Sequence, residues 1–230
     1  MDIDHLNMVA LVIFFVATLG YHIGYNVYGR MMPLSTVKGK VHRYRKDWVE
    51  NILQSRNTLL AVQAVRNQIM TTTWLASSVL LVLAFFLSSG IAGRGTAPIE
   101  ESAFMSFFGI EDFGWLRYKI YLLLTLLGFA FLMFLFSLRH VMLFNTLIGV
   151  SPELIAQLEH VEAAEYLAQL ANRSSSRFTY GLRATYFTVP TLSWLFSTWM
   201  FIITTAALWL WLFIFLDTRG HRLPIRRHPV

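Results

Sequence analysis

The chain contains no cysteine, and charged residues make up only 14% of its 230 residues. Without cysteine it has no disulfide, no thiolate metal site and no cysteine nucleophile. Soluble domains average about 25% charged residues, so this low charge content argues against an ordinary soluble domain. With 56% hydrophobic and 15% aromatic residues, the composition instead predicts a single integral membrane domain over residues 1–230.

The sequence also lacks the common motifs that indicate phosphate binding, metal binding or nucleophilic catalysis. It has no glycine-rich phosphate loop, no His-Glu-x-x-His motif, no serine nucleophile elbow and no paired carboxylates within an apolar run. We therefore expect neither enzymatic activity nor a metal site. The net charge of +6 does not indicate nucleic-acid binding, because the basic residues flank apolar runs as juxtamembrane charges do.

Four apolar runs are long enough for the ~20 residues that a spanning helix needs. They cover about residues 6–28, 69–91, 116–148 and 183–216. The fourth run contains Pro190, which favours a kink. The predicted fold class is therefore all-α, a polytopic transmembrane helical bundle with four spans.

The charges between these runs predict an orientation in a bacterial inner membrane. Residues 29–66 carry eight Lys or Arg against only Asp47 and Glu50, whereas the segment 92–114 is acidic. By the positive-inside rule the first segment is cytoplasmic and the N-terminus lies outside. Four spans then put the basic tail, residues 217–230, outside as well, which conflicts with that rule.

Two cytoplasmic amphipathic helices are expected in addition to the spans. One begins near Asp47, where apolar and polar residues alternate with helical period. The other begins at Ser151-Pro152-Glu153, which supplies a cap, a proline in the first turn and an acid. We expect this second helix to end in the polar run 172–176.

Polar residues near the cytoplasmic ends of the spans are the candidate site. On a helix Gln63, Arg66 and Asn67 share one side, at the point where the chain enters the bilayer. Ionisable groups at this depth tend to mark ion or substrate paths, although long side chains there also snorkel to the interface. The full candidate set is Gln63, Arg66, Asn67, His22, Asn26, Arg139, His140, Asn145 and Arg183.

Three functional hypotheses follow from this arrangement. The first is a homo-oligomer that forms an anion-favouring channel, with the polar layer at a subunit interface or pore mouth. The second is a non-catalytic scaffold that docks a cytoplasmic protein partner, or anionic lipid headgroups, on the basic loop. The third is a haem-binding electron-transfer protein with His22 and His140 as ligands from two helices.

The stretch Leu60-Ala61-Val62-Gln63-x-x-Arg66-Asn67-x-Ile69-Met70 resembles the central motif of a membrane family catalogued as domain of unknown function 599, found in bacteria and plants. Gly20-Tyr21-His22, Asn145 and the aromatic region 183–195 fit the same pattern. The resemblance covers about residues 5–216 and implies a four-span membrane protein. It implies no activity and no catalytic residue.

Overall fold

The structure is a computed structural model that describes residues 3–31, 37–55, 58–88, 113–212 and 214, apart from the side chains at 3, 22, 25, 26, 28–31, 37–39, 58 and 113. This part of the chain forms helices and no strands, which confirms the all-α class. Most of the segment 92–114 and the whole tail 217–230 lie outside the described residues. The helices are α1 (Ile3–Met31), α2 (Val37–Ser55), α3 (Thr58–Ser88), α4 (Phe113–Leu147), α5 (Pro152–Glu159), α6 (Ala163–Phe196) and α7 (Thr198–Trp211).

Three of these helices are long and apolar enough to cross a membrane. Their apolar stretches are Asp4–Tyr21 in α1, Leu59–Ser88 in α3 and Gly114–Leu147 in α4, with mean hydropathies of 1.5, 1.9 and 2.4. The first three predicted spans therefore have helical counterparts. α7 is apolar too, but it contains only 14 residues.

α4 and α6 are antiparallel and pack closely through small residues. The Ser137 hydroxyl donates to the Ser174 carbonyl at 2.9 Å, and the Ser174 hydroxyl donates to the Ser137 carbonyl at 3.0 Å. Two turns further along α6, Gly181 lies against the ring of Phe134. Small residues at such contacts let helix backbones approach each other in a membrane.

α3 packs on α4 with one face only. Its Gln68 side chain also donates to the Ser174 hydroxyl at 3.3 Å. The stretch 60–70, which holds the central motif, is the first part of this continuous helix. The buried residues of α3 are Ala61, Val65, Thr72, Ala76, Val79 and Phe86.

α1 and α7 pack on the other side of α6. The Phe14 ring of α1 lies 5.8 Å from that of Phe187 and 5.2 Å from that of Phe201, between ring centroids. The buried Asn7 side chain accepts from Trp194 Nε1 at 2.9 Å and from the Thr198 hydroxyl at 2.6 Å. α1 is therefore antiparallel to α6, because its early residues meet the end of α6.

The fourth predicted span, 183–216, differs from the structure. α6 continues through Pro190 to Phe196, and the extended residue Ser197 (φ −155°) separates it from α7. α7 then turns back along α6, since the Ser193 and Thr204 hydroxyls lie 2.8 Å apart and the Tyr186 and Trp211 ring centroids 5.9 Å apart. The predicted single crossing is thus two helices of opposite direction.

The helices outside the apolar stretches also differ from expectation in their bounds. α2 begins at Val37, ten residues before the predicted start at Asp47. The predicted cap of α5 is confirmed, because the Ser151 hydroxyl accepts from the Leu154 N–H at 3.4 Å. The helix ends early, at the left-handed His160 (φ 55°), and α6 then runs straight through the serine run where we expected an end.

The fit of Gly181 against Phe134 gives a direct test of the α4–α6 contact. A Cβ atom at position 181 would lie 2.7 Å from Phe134 Cε1, whereas one at Gly128 of α4 would meet nothing within 4 Å. We expect Gly181→Ala to destabilise the protein by about 1–3 kcal/mol, because the buried ring must shift. Gly128→Ala is the matched control and gains helix propensity. Unfolding in detergent measures both variants, and equal stability would contradict the packing described.

Candidate functional site

A cleft of about 880 Å³ lies between α2, α4 and α6. Its volume is within the range of ligand-binding pockets. We call it the basic cleft, because arginine, lysine and histidine outnumber its single carboxylate. Its lining residues are His42, Arg43, Lys46, His140, Glu165, Ala168, Gln169, Asn172, Arg173, Ser176, Arg177 and Tyr180.

α6 supplies most of this lining from one face. Glu165, Gln169, Arg173 and Arg177 follow at intervals of four residues, and Tyr180 comes three residues later. Residues with this spacing share one side of a helix. The other side of α6 carries the buried residues that pack on α4, so the α4–α6 contact fixes the direction in which the cleft residues point.

Arg45 fixes α2 to α6 at the edge of the cleft. Its guanidinium donates to the Asn172 side-chain oxygen at 2.9 Å and to the Ser175 hydroxyl at 2.8 Å. Burial lowers the pKa of Arg45 from its ordinary value. Arg45 therefore holds α2 against α6, whereas Arg43, two residues earlier, is exposed at the cleft.

Lys46 forms a second link between the helices. Its ammonium lies 3.1 Å from a Glu165 oxygen, 3.7 Å from Glu162 and 3.8 Å from Glu50. The hydrogen bond to Glu165 raises the pKa of Lys46, and the charges of the nearby carboxylates add to this effect. The pKa of Glu165 is lowered, first by the hydrogen bond from Gln169 and then by that from Lys46.

The remaining charge of the cleft is positive. Lys46 and Glu165 largely neutralise each other, whereas Arg43, Arg173 and Arg177 are exposed. A guanidinium offers planar, paired donors that fit carboxylate and phosphate oxygens. The basic cleft therefore has the chemistry of an anion-binding site.

His140 brings α4 into the same cleft. Its Nδ1 lies 2.6 Å from the Phe136 carbonyl oxygen, which only accepts, so Nδ1 carries the hydrogen. Nε2 is then the remaining polar atom of the ring. Arg177 reaches back toward α4 from the opposite wall, with Nη1 4.0 Å from Met133 Sδ.

A family model described as "Protein of unknown function, DUF599" matches residues 9–221, nearly the whole chain. The chain belongs to the DUF599 family. No curated protein and no solved structure matches it. The resemblance seen in the sequence is thereby confirmed, and the whole basic cleft lies within the matched region.

The central motif of this DUF599 protein lies away from the basic cleft. Gln63, Arg66 and Asn67 are exposed on α3, on the side opposite the buried Ala61 and Val65. Within the described part of the chain, no side-chain hydrogen bond or ion pair ties these three residues to α4 or α6. Their predicted role at a subunit interface or pore mouth stays a prediction.

The other candidate site residues lie in different parts of the structure. His140 lines the cleft, whereas Arg139 and Asn145 are exposed on α4. Arg183 is buried, with its guanidinium carbon 5.0 Å from the centroid of the Tyr21 ring. It follows Arg173 by ten residues in α6, which is ~15 Å along the helix axis.

The haem hypothesis stays a prediction, because the side chain of His22 lies outside the described residues, as does that of Asn26. Where the structure describes the chain, it contains no group of three or more His, Cys, Asp or Glu side chains that could hold a metal ion.

Sequence reasoning missed the arginines that α6 contributes to the cleft. The four-residue spacing from Glu165 to Arg177 was the available signal. The serine run between them suggested a helix end, because serine competes locally for backbone hydrogen bonds. In the structure Ser174 is buried against Ser137, and the helix therefore continues.

A second polar cluster, also missed, lies where α1 and α4 begin and α6 ends. Lys119 is 2% exposed, and its ammonium lies 5.6 Å from the centroid of the Trp194 ring. Asp4 accepts from Trp115 Nε1 at 2.8 Å. These contacts fix α1 against α4 and α6 at the end opposite the basic cleft.

The Lys46–Glu165 pair gives this DUF599 protein a defined pH dependence. The pKa of Glu165 is below its ordinary 4.5 in the folded state, so its stabilisation is present above 4.5 and disappears as the pH falls through the folded value. The pKa of Lys46 is above 10.5, so its contribution disappears only as the pH rises through that higher value. We expect Lys46→Gln to lower the melting temperature slightly at pH 7.

The difference in melting temperature between the two proteins should shrink toward zero in acid, because a protonated Glu165 no longer pairs with Lys46 in the unsubstituted protein. Melting curves of both proteins from neutral pH to below 4.5 measure it. Lys40→Gln, which removes another lysine of α2, is the control for net charge. A deficit of the same size in acid and at neutral pH would contradict the pairing.

Proposed function

We propose that this DUF599 protein is a multi-pass membrane protein that binds an anionic group in the basic cleft, on the cytoplasmic side. The observation that carries the proposal is the set of three exposed arginines, Arg43, Arg173 and Arg177, converging from two helices on one cleft. A cluster of guanidinium groups binds carboxylate or phosphate through charge-assisted hydrogen bonds.

The fold-back of α7 supports a topology with five crossings. α7 runs opposite to α6, and the apolar sequence continues beyond it as Leu-Phe-Ile-Phe-Leu over 212–216. Together these residues approach the ~20 that a spanning helix needs. With the N-terminus outside, five crossings return the chain to the cytoplasmic side.

This topology agrees with the positive-inside rule where four crossings did not. The basic loop 29–66, the basic cleft and the basic tail 217–230 then share the cytoplasmic side, and the acidic segment 92–114 lies outside. The inner leaflet carries the anionic lipids that attract such charges. The cleft is therefore proposed to face a compartment and a surface rich in phosphate.

The exposed polar face of α3 favours a second candidate function. Gln63, Arg66 and Asn67 lie on an outward face of an apolar helix, where contact with lipid is unfavourable and contact with another subunit satisfies them. In this candidate, copies of the chain meet along α3 as a homo-oligomer and anions pass where they meet. Arg66 then carries the selectivity for anions.

Anion binding to the purified protein tests the first candidate and separates it from the second. We expect pyrophosphate to bind, as measured by calorimetry in detergent, and Arg173→Gln or Arg177→Gln to weaken it about 10- to 100-fold, since each removes a charge-assisted hydrogen bond. Arg117→Gln, at the opposite end of α4, is the control for net charge. Equal weakening by all three variants would overturn the cleft assignment.

Arg66→Gln discriminates between the two candidates in the same experiments. It leaves pyrophosphate binding unchanged if the cleft is the anion site. A loss of anion flux through reconstituted vesicles, with binding intact, would instead support the oligomeric pathway along α3.

Labelling of single cysteines tests the topology, because the chain has none of its own. We expect a membrane-impermeant maleimide to label Ser102→Cys in intact cells and Ile225→Cys only after permeabilisation. The reason is that the fold-back of α7 reverses the direction of the chain before the tail. Labelling of both positions in intact cells would restore the four-crossing arrangement.

A further inference from the structure

The two arginines that α6 contributes to the basic cleft form a pair. Arg173 and Arg177 are one helical turn apart on the same face, and both are exposed. Arg43 faces them from α2, which Arg45 holds in place through Asn172 and Ser175. The three guanidinium groups thus come from two helices whose relative position is fixed.

The wall formed by α4 continues from the cleft into an apolar surface. Phe136 and Leu132 precede His140 by four and eight residues, so all three lie on one face of the helix. Phe136 is 42% exposed and Leu132 50% exposed, and Phe129 extends the same surface. These residues belong to the helix with the highest mean hydropathy of the three long apolar helices.

A molecule that occupies both surfaces has a charged head and apolar chains. Building on the proposed anion binding, we infer that the ligand of the basic cleft is a membrane lipid with a phosphomonoester headgroup. The phosphate lies among Arg43, Arg173 and Arg177, and the acyl chains extend along the surface formed by Leu132 and Phe136.

The charge of the cleft favours a phosphomonoester over a phosphodiester. A phosphomonoester carries a charge of about −1.5 to −2 at pH 7 and three acceptor oxygens. A diester headgroup such as phosphatidylglycerol carries one charge and two free oxygens. Three exposed guanidinium groups, with Lys46 paired to Glu165, can each donate to a separate oxygen of a monoester, and their charge is better balanced by its two negative charges than by the single charge of a diester.

Native mass spectrometry of the full-length protein in detergent tests this inference with defined lipids. The probes are phosphatidic acid and phosphatidylglycerol with identical acyl chains, and glycerol 3-phosphate as the headgroup without chains. We expect phosphatidic acid to bind about 10- to 100-fold more tightly than phosphatidylglycerol, the effect of one further charge-assisted hydrogen bond. Glycerol 3-phosphate binds more weakly than phosphatidic acid, because it lacks the contact with α4.

Two variants assign the headgroup and the chains separately. Arg173→Gln should abolish the preference for phosphatidic acid, whereas Arg117→Gln, at the far end of α4, should keep it. Phe136→Gln should weaken phosphatidic acid and leave glycerol 3-phosphate unchanged. Phe136 is exposed, so the substitution leaves no cavity in the core of the bundle.

Each other result has a distinct meaning. Equal binding of the two lipids would overturn the monoester inference and leave the proposed anion site standing. Binding of glycerol 3-phosphate as tight as that of phosphatidic acid would make the ligand a soluble phosphate ester and overturn the lipid assignment. Failure of every probe, pyrophosphate included, would overturn the anion site itself.

Discussion

The reciprocal hydrogen bonds between Ser137 and Ser174 are the contact on which the other helices depend. Each hydroxyl donates to the other residue's carbonyl, so the backbones of α4 and α6 lie close together with no polar atom of the pair left over. Gln68 joins α3 to the same serine, and Arg45 joins α2 to the adjacent Ser175. In an apolar surrounding, hydrogen bonds and close packing hold helices together, because burial from water contributes little there.

The basic cleft is a consequence of how α2 is held. Arg45 donates to neutral side chains of α6, and Lys46 pairs with an acidic one. Trp48 stacks on Phe144 of α4 at 6.2 Å between ring centroids. These contacts fix the middle of α2 and leave a space lined by the outward residues of α6. Arg45 and Lys46, the two cations that contact α6, hold α2 in place, whereas Arg43 is exposed at the cleft.

Two buried cations of the bundle each lie over an aromatic ring. Arg183 lies over Tyr21, and Lys119 lies over Trp194, so both α1–α6 and α4–α6 contacts include a cation–π interaction. Such interactions strengthen when the cation is removed from water. Both side chains face the protein and not its outer surface, as ionisable residues in apolar helices usually do.

The sequence by itself determined the three long apolar helices, the cap of α5 at Ser151 and the family, because apolar length, capping residues and a motif are local properties. Of the candidate site residues whose side chains the structure describes, only His140 lines the cleft. Tertiary contacts decided the rest. A serine costs a helix up to about 0.7 kcal/mol locally. The bonds of Ser174 to α4 and of Ser175 to α2 outweigh that cost. α6 therefore continues through the serine run and places Arg173 and Arg177 on the same face. The reversal of chain direction at Ser197 likewise depends on the packing of α7 against α6 and α1, which no local sequence pattern predicts.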